Sequence, residues 1–222
     1  MKLPMPLQCG CGERFTLEIL GSVPPNYAQC PNSHSSGYVF KPLGNLVTKL
    51  LMERARQDLK NGDTTVAILL SAIAVEGEMA YLFFKWKGID SGKYLGNRTQ
   101  DDLDEWESDW ANMRSIGKRM DELSRLLTDT AFDKFAEQNK ALLRPALDQF
   151  EPASSIKKFF QEQFFNTRHR VAHFGEVDFQ KSDGNRCFSI ALAMINLLGA
   201  MDRERIKRLE EAHKKAREAT PA

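Results

Sequence analysis

A basic cluster occurs late in the chain, in the stretch "FFNTRHRVAHFGE" of residues 164–176. It holds Arg168, His169, Arg170 and His173, and thus two of the four histidines of the chain. Arginine offers a fixed charge and a bidentate fork for a phosphate, and histidine can transfer a proton near neutral pH. Such a set suits metal-independent cleavage of RNA, in which a base takes the 2′-hydroxyl proton and an acid protonates the leaving oxygen. The alternative is a basic helix end, because the helix dipole favours cations there.

The arrangement of the cluster depends on where its helix ends. Each helical residue turns about 100°, so His169 and His173 lie about 40° apart and Arg170 and His173 about 60° apart. Arg168 and His173 lie about 140° apart on the same basis. A straight helix therefore groups the two histidines with Arg170. If the helix ends before His173, as the nearby Gly175 suggests, His173 can turn towards Arg168 instead.

Glu76 is a further candidate for the same site. It interrupts the apolar run "VAILLSAIAVEGEMAYLFF", where a carboxylate is costly unless it is paired. Glu78 lies two positions away, about 160° around a helix, so the two carboxylates cannot both face one cleft. We expect Glu76 to be the inward one and to be able to pair with Arg168 or Arg170. A surface carboxylate or an unrelated ion pair is the alternative.

The cysteines indicate a metal site near the start of the chain. Cys9 and Cys11 form a C-x-C knuckle, and "CPNSH" adds Cys30 and His34, whereas Cys187 lies alone far downstream. Three thiolates and an imidazole are a complete tetrahedral set for a structural zinc ion, with no open position for catalysis. A module of this size with little apolar material needs such a metal to fold. We expect Cys187, beside an apolar run, to be buried.

The cysteine-bearing module resembles a zinc ribbon over about 30 residues. A ribbon usually shows C-x-x-C at both ends, whereas here the first knuckle is one residue short and the second is C-x-x-x-H. His34 is the ligand that departs from the ribbon pattern, and a cysteine-bearing turn without metal is the alternative. "FTLEIL" and "YVFKPL" are predicted to be the strands of the ribbon.

The chain after Pro42 is predicted to be α-helical, which gives a module of residues 1–41 and an all-α domain of residues 42–222. The hydrophobic spacing predicts successive helices over residues 43–59, 64–87, 100–127 and 129–143, one that begins at Ser154 or Ser155, and one over 187–217. "KSDGN" is predicted to be a turn before the last helix. The second half of that helix loses its apolar face, which predicts a solvated extension or a segment that binds a partner protein.

The spacing Arg168-x4-His173 resembles the R-x4-6-H motif of the HEPN superfamily. The likeness extends to helix order over residues 43–205, because in that superfamily the motif lies late in a helical bundle and precedes a turn and one more long helix. It departs from the common R-N-x-x-x-H form, since His169 stands where the family commonly has Asn. The fold class expected is mainly α, a HEPN-like bundle with a small amino-terminal β zinc ribbon.

The HEPN resemblance implies a metal-independent endoribonuclease that acts as a homodimer in toxin, defence or RNA-processing systems. Arg168 and His173 are then the catalytic candidates, with His169, Arg170 and Glu76 assisting. The superfamily also has members that do not cleave RNA. A dimeric module that binds nucleic acid or a partner protein through the ribbon and the basic helix end is therefore the alternative. An adaptor whose charged carboxy-terminal helix binds a partner is a third possibility.

The composition is that of an ordinary globular protein, with 31 basic and 30 acidic residues among 222. No overall positive charge predicts nucleic-acid binding, so any site for a polyanion must be local. The longest apolar run contains two glutamates, which favours a buried helix over a membrane span. We see no secretory signal at the amino terminus, and we expect a cytoplasmic protein.

Overall fold

The computed structural model describes residues 2–8, 14–20, 32, 41–42, 45–92, 99–147, 155–175 and 177–218. The chain divides into two compact units, residues 1–50 and residues 51–222. The boundary expected from the sequence, after residue 41, lies nine residues before the observed boundary after residue 50.

The described residues of the first unit include three antiparallel strands. β1 (Lys2–Gln8) pairs with β2 (Arg14–Leu20) along its length and with β3 (Lys41–Pro42) at its end, in the order β2-β1-β3. β2 contains the predicted strand "FTLEIL", and β3 lies within "YVFKPL". β1 was not predicted, because its two prolines weaken a strand pattern. The four proposed zinc ligands, Cys9, Cys11, Cys30 and His34, lie outside the described residues, so the zinc ribbon stays a prediction.

The remainder of the chain is mainly helical, as predicted. Its described α-helices are α1 (Leu46–Asn61), α2 (Thr64–Asp90), α3 (Gln100–Asn112), α4 (Ile116–Thr128), α5 (Phe132–Gln138), α6 (Arg144–Leu147), α7 (Ile156–Phe160), α8 (Asn166–Phe174) and α9 (Lys181–Glu218). A 3₁₀ turn, Lys140–Leu143, precedes α6, and a π-helical turn, Gln161–Phe165, joins α7 to α8.

The second unit is built around α2 and α9, which run in the same direction. Gly184 in the first turn of α9 lies against Thr64, and further along Asp202 accepts hydrogen bonds from Lys85 and Trp86. A Cβ atom on Gly184 would come within 2.5 Å of Leu59 Cδ2, so the glycine permits close approach of the helices. The prediction that "KSDGN" forms a turn is wrong. These residues begin α9, and its glycine serves packing.

The aromatic stripe of residues 159–165 lies in the core, as predicted. Phe159, Phe160, Phe164 and Phe165 are all buried, and Phe160 contacts Phe132 edge to face. Burial of one such side chain stabilises the fold by about 1.5–3 kcal/mol. Cys187 is buried as well, which confirms its predicted structural position.

The prediction of one helix over residues 100–127 is wrong, because two helices occupy this stretch. Thr99 begins α3 with a capping box, in which Asp102 accepts from the Thr99 N–H at 2.8 Å. Ser115 begins α4 by accepting a hydrogen bond from the Lys118 N–H. Both arrangements satisfy amide groups that a helix start would otherwise leave unpaired. The second cap makes the break after residue 112 stable.

The carboxy-terminal part of α9 stays attached to the bundle further than predicted. Arg205 pairs with Asp90 at 2.8 Å, and Arg208 contacts Asp129 and the carbonyl of Leu127. Residues 210–215 are exposed. The solvated extension therefore begins near residue 210, because the arginines before it bind groups on α2 and at the end of α4.

Two of the described helices are long and apolar enough to cross a membrane by length and composition, α2 and residues 181–215 of α9. Half of the apolar window of each is buried within the fold, and the core helices of bundles pass the same test. This is weak support for a membrane location. The expected cytoplasmic location stays a prediction.

Candidate functional site

The basic cluster lies on α8, whose end is set by Gly175. The glycine has φ 62° and ψ 26°, and its N–H donates to the carbonyl of Arg170. A left-handed glycine immediately after the last helical residue is a common helix stop, because other side chains are strained there. The helix therefore extends through Phe174, and the suggestion that it ends before His173 is wrong. His173 is held on the helix and does not turn back towards Arg168.

His169, Arg170 and His173 share one exposed face of α8. The imidazole rings of His169 and His173 lie 4.4 Å apart between centroids and are tilted by 41°. All three side chains are exposed. His169 also meets Phe174 edge to face at 5.5 Å. Proton-transferring groups and a cation are thus presented together to solvent.

Arg168 lies on a different side of α8 and faces α2. Its Nε is 3.5 Å from Oε1 of Glu76, and both side chains are about 30% exposed. This contact confirms the predicted ion pair between Glu76 and Arg168. It also holds Arg168 about 140° around the helix from His173. Within one chain, the two residues of the R-x4-H spacing do not face the same cleft.

The face of α8 next to the histidines opens into a cavity of about 250 Å³. Gln163, Thr167 and Arg170 form its wall on this side, and the guanidinium of Arg170 lies 5.3 Å above the ring of Phe179. The opposite wall comes from the segment before α9 and from its first turns. The remaining lining residues are Glu162, Asp178, Asp183, Arg186 and Cys187. Arg170 therefore belongs both to the histidine face and to the cavity.

The π-helical turn before α8 brings this wall into position. The N–H of Asn166 donates to the carbonyl of Gln161, five residues back, which widens the helix by one residue at Gln161–Phe165. Phe164 and Phe165 are buried and anchor the turn to the core. Such turns often occur at functional sites, because they change which side chains face a cleft.

Cys187 closes the base of the cavity as a protonated thiol. Burial raises the pKa of Cys187 from 9.0 to about 12, although the charge of Arg186 and a hydrogen bond with Thr167 lower it. A thiol with so high a pKa is a poor nucleophile at neutral pH, because the thiolate is the reactive form. Cys187 therefore serves packing.

An apolar surface adjoins the histidines. Phe174 is 74% exposed and Val177 is 68% exposed, although both carry large apolar side chains. Val177 is held near α2, where its carbonyl accepts a hydrogen bond from Thr65 at 3.3 Å. Exposed apolar groups beside a polar cluster are typical of contact sites.

Sequence reasoning missed the far wall of the cavity. Asp178, Phe179, Asp183 and Arg186 were not singled out, because "KSDGN" resembles a turn and no local pattern links it to α8. Their role depends on the packing of α9 beside α8, which a local pattern does not reveal. Within the ranges that the structure describes, no group of three or more His, Cys, Asp and Glu side chains is arranged to hold a metal ion.

Comparison with models of protein families, with curated proteins and with solved structures gave no significant match.

Proposed function

We propose that the protein is a metal-independent endoribonuclease of HEPN type that cleaves RNA through the 2′-hydroxyl. The observation that carries the proposal is the exposed ring contact of His169 and His173, at 4.4 Å, with Arg170 on the same face of α8. Histidine can serve as acid or base, and arginine can stabilise the negative charge that grows on the phosphate.

The proposed reaction needs two proton-transferring groups. A base takes the 2′-hydroxyl proton while that oxygen attacks phosphorus, and an acid protonates the departing 5′-oxygen on the opposite side. His169 and His173 are in contact, which leaves no room for a phosphate between them. The two groups therefore belong to different copies of the chain, and we propose a homodimer in which two α8 helices face one groove.

The exposed apolar residues support the proposed homodimer. Phe174 meets His169 edge to face, Val177 follows it in the chain, and both leave large apolar side chains in solvent. Pairing with a second copy would bury them and would bring the two basic faces together. We propose His173 as general acid or base, assisted by His169, with Arg170 on the scissile phosphate.

Arg168 has a different part in this proposal. Its ion pair with Glu76 fastens α8 to α2, and half-buried pairs of this kind position the elements that carry them. Arg168 contacts the phosphate only at the side of the groove, and only if the second copy of the chain brings the phosphate to that side. Glu76 acts as a positioning residue through Arg168.

The other parts of the chain have supporting roles in the proposal. A structural zinc ion would be held by Cys9, Cys11, Cys30 and His34, a donor set that suits zinc. The ribbon would then help to position RNA or a partner protein. The exposed end of α9 would bind a partner protein. The cytoplasm is the proposed location.

A non-catalytic dimeric module that binds RNA or a protein is the second candidate. One observation favours it: Arg168 is engaged by Glu76 and lies on a different side of α8 from His173. The arginine and histidine on which the HEPN resemblance depends are therefore not paired within one chain.

An RNA-cleavage assay with variants of α8 separates the two candidates. Because one acid or base typically contributes about 10²–10⁴-fold, His173→Ala is expected to lower the cleavage rate by that factor. His169→Ala and Arg170→Ala are expected to lower it less. His213→Ala and Arg125→Ala are matched controls, since both residues are exposed and distant from α8 in the sequence. Full activity in His173→Ala with an unchanged melting temperature would refute the assignment.

RNA affinity decides between the remaining possibilities. If wild-type protein binds single-stranded RNA but does not cleave it in the presence of chelator, the binding module is supported. If it neither binds nor cleaves RNA, both candidates fail and the protein-binding adaptor remains.

A further inference from the structure

The cavity beside the histidine face is lined by charged groups of both signs and by one aromatic ring. Its volume of about 250 Å³ is lined by two arginines, three carboxylates and one aromatic ring. The charged groups are Arg170, Arg186, Glu162, Asp178 and Asp183. Such a lining suits a ligand that presents both hydrogen-bond donors and acceptors and a flat surface to the aromatic side.

RNA bases differ in the arrangement of their hydrogen-bond donors and acceptors, and the charged groups of this lining can distinguish these arrangements. A carboxylate only accepts hydrogen bonds and a guanidinium only donates them. Guanine presents two adjacent donors, N1–H and the N2 amino group, and two adjacent acceptors, O6 and N7. Arginine pairs with the acceptors through two bonds. Adenine, cytosine and uracil do not offer two adjacent donors on the Watson–Crick edge, so a carboxylate cannot bind them through both oxygens.

Asp178 is the best placed of the three carboxylates to accept from a base. The other two carboxylates are already engaged. Oε1 of Glu162 lies 3.6 Å from Nζ of Lys158, and Oδ2 of Asp183 accepts a hydrogen bond from the Gln180 N–H at 3.0 Å. Asp178 is exposed and makes no ion pair with any residue that the structure describes. Its carboxylate is therefore available to a ligand in the cavity.

The aromatic side of the cavity can hold a base by stacking. Phe179 lies beneath the guanidinium of Arg170, which fixes that group at the edge of the cavity. Unpaired bases in RNA stack on guanidinium planes as well as on aromatic rings. Because Arg170 also lies on the histidine face, a base stacked on it would be next to the phosphate at the histidines.

We propose that this cavity binds a guanine base adjacent to the scissile phosphate, with Asp178 accepting from N1–H and N2 and with Arg186 donating to O6 and N7. The inference rests on the proposed ribonuclease function and gives it a sequence preference. The base is recognised within single-stranded RNA, where its edges are accessible.

Binding of non-cleavable RNA tests the cavity without depending on catalysis. The probes are 2′-O-methyl pentamers of uridine with a central guanosine, inosine or adenosine, and the measurement is fluorescence anisotropy with wild-type protein. We expect the guanosine probe to bind about tenfold more tightly than the adenosine probe, as for one good bidentate contact. The inosine probe, which lacks the N2 amino group, is expected to lie between them.

Substitutions in the cavity identify the residue that reads the base. Asp178→Asn is expected to remove the preference for guanosine over inosine, because an amide cannot accept both donors. Glu137→Gln is the matched control, since Glu137 is exposed and pairs with Lys140 outside the cavity. Equal affinity for the guanosine and adenosine probes, or an unchanged preference in Asp178→Asn, would overturn the proposal.

Three further results separate this proposal from its alternatives. If free guanosine monophosphate binds as tightly as the guanosine probe, the cavity takes a nucleotide and the assignment to RNA is overturned. A guanine preference in binding without any RNA cleavage would support the cavity and refute the ribonuclease. Cleavage without a guanine preference would support the ribonuclease and refute the cavity.

Discussion

Asp202 connects the two central helices through one carboxylate, and its removal tests the packing of α2 against α9. Its oxygens accept two hydrogen bonds from Lys85 Nζ at 2.7 Å and one from the Trp86 indole N–H at 2.6 Å. Trp86 is buried, and the side chains of Lys85 and Asp202 are only 16% and 21% exposed. Asp202→Ala leaves an ammonium and an indole N–H without their partner.

The expected loss of folding free energy in Asp202→Ala follows from these contacts. Removing one partner of a fully buried ion pair costs about 3–5 kcal/mol, and an unpaired buried N–H costs about 1–3 kcal/mol. Because both charged groups retain some exposure, we expect a total below the sum of these ranges, about 3 kcal/mol. At about 2–4 °C per kcal/mol for a domain of this size, the melting temperature falls by about 6–12 °C.

Circular dichroism during heating measures this change, and a second ion pair provides the control. Lys87 and Asp109 are also 2.7 Å apart, but their side chains are 34% and 44% exposed. Asp109→Ala is expected to cost less than about 1 kcal/mol, as exposed pairs do. Equal losses in the two variants would refute the argument, because the distances match and only the burial and the contact with Trp86 differ.

Two further predictions concern Gly175 and Cys187. Gly175→Ala is expected to destabilise the fold by about 1 kcal/mol in urea titration, because φ is 62° there, whereas Gly77→Ala within α2 is expected to stabilise it. The same loss or gain in both variants would contradict this account of the helix end. Cys187 is expected to be alkylated only as fast as the fold opens, as followed by mass spectrometry of its peptide. The folded Cys187 thiol keeps its proton to about pH 12, whereas the unfolded thiol releases it near pH 9.0. The contribution of Cys187 to the free energy of unfolding is therefore constant below pH 9 and falls as the pH rises towards 12. Rapid alkylation of the folded protein at pH 8 would contradict the burial of the thiol.

Hydrophobic spacing was enough to predict the core side of the helices. The stripe from Phe159 to Phe165 recurs with the helical period, and burial follows from the apolar character of these residues. The pair of Glu76 and Arg168 was also foreseeable, because a carboxylate within an apolar helix needs a cation. The apolar stripe and this ion pair could therefore be predicted from local chemistry.

Glycine and serine positions were harder to predict, because these residue types occur both in turns and within or at the ends of helices. Gly184 resembles a turn residue in "KSDGN", but here it allows α9 to approach Leu59 and Thr64. A helix over residues 100–127 would make Ser115 an ordinary helical position, whereas it caps α4. Glycine and serine serve turns, caps and close packing alike, and only the tertiary contacts distinguish these uses.

The candidate site was predicted in composition but only partly in arrangement. Periodicity grouped His169, Arg170 and His173 correctly for a continuous helix, and Gly175 marks the position just after its last residue. The cavity was not predictable, because its walls are separated in sequence and meet only when α9 packs beside α8. Its chemistry depends on which side chains the π-helical turn and the start of α9 bring together.

The end groups that wild-type protein leaves on RNA test the central claim most directly. Attack by the 2′-hydroxyl, assisted by the histidine face of α8, leaves a 2′,3′-cyclic phosphate and a 5′-hydroxyl. We predict these ends on RNA cut in the presence of chelator, as identified by mass spectrometry of the fragments. Fragments that carry 3′-hydroxyl and 5′-phosphate ends would contradict the account, because water and not the 2′-hydroxyl would then be the attacking group.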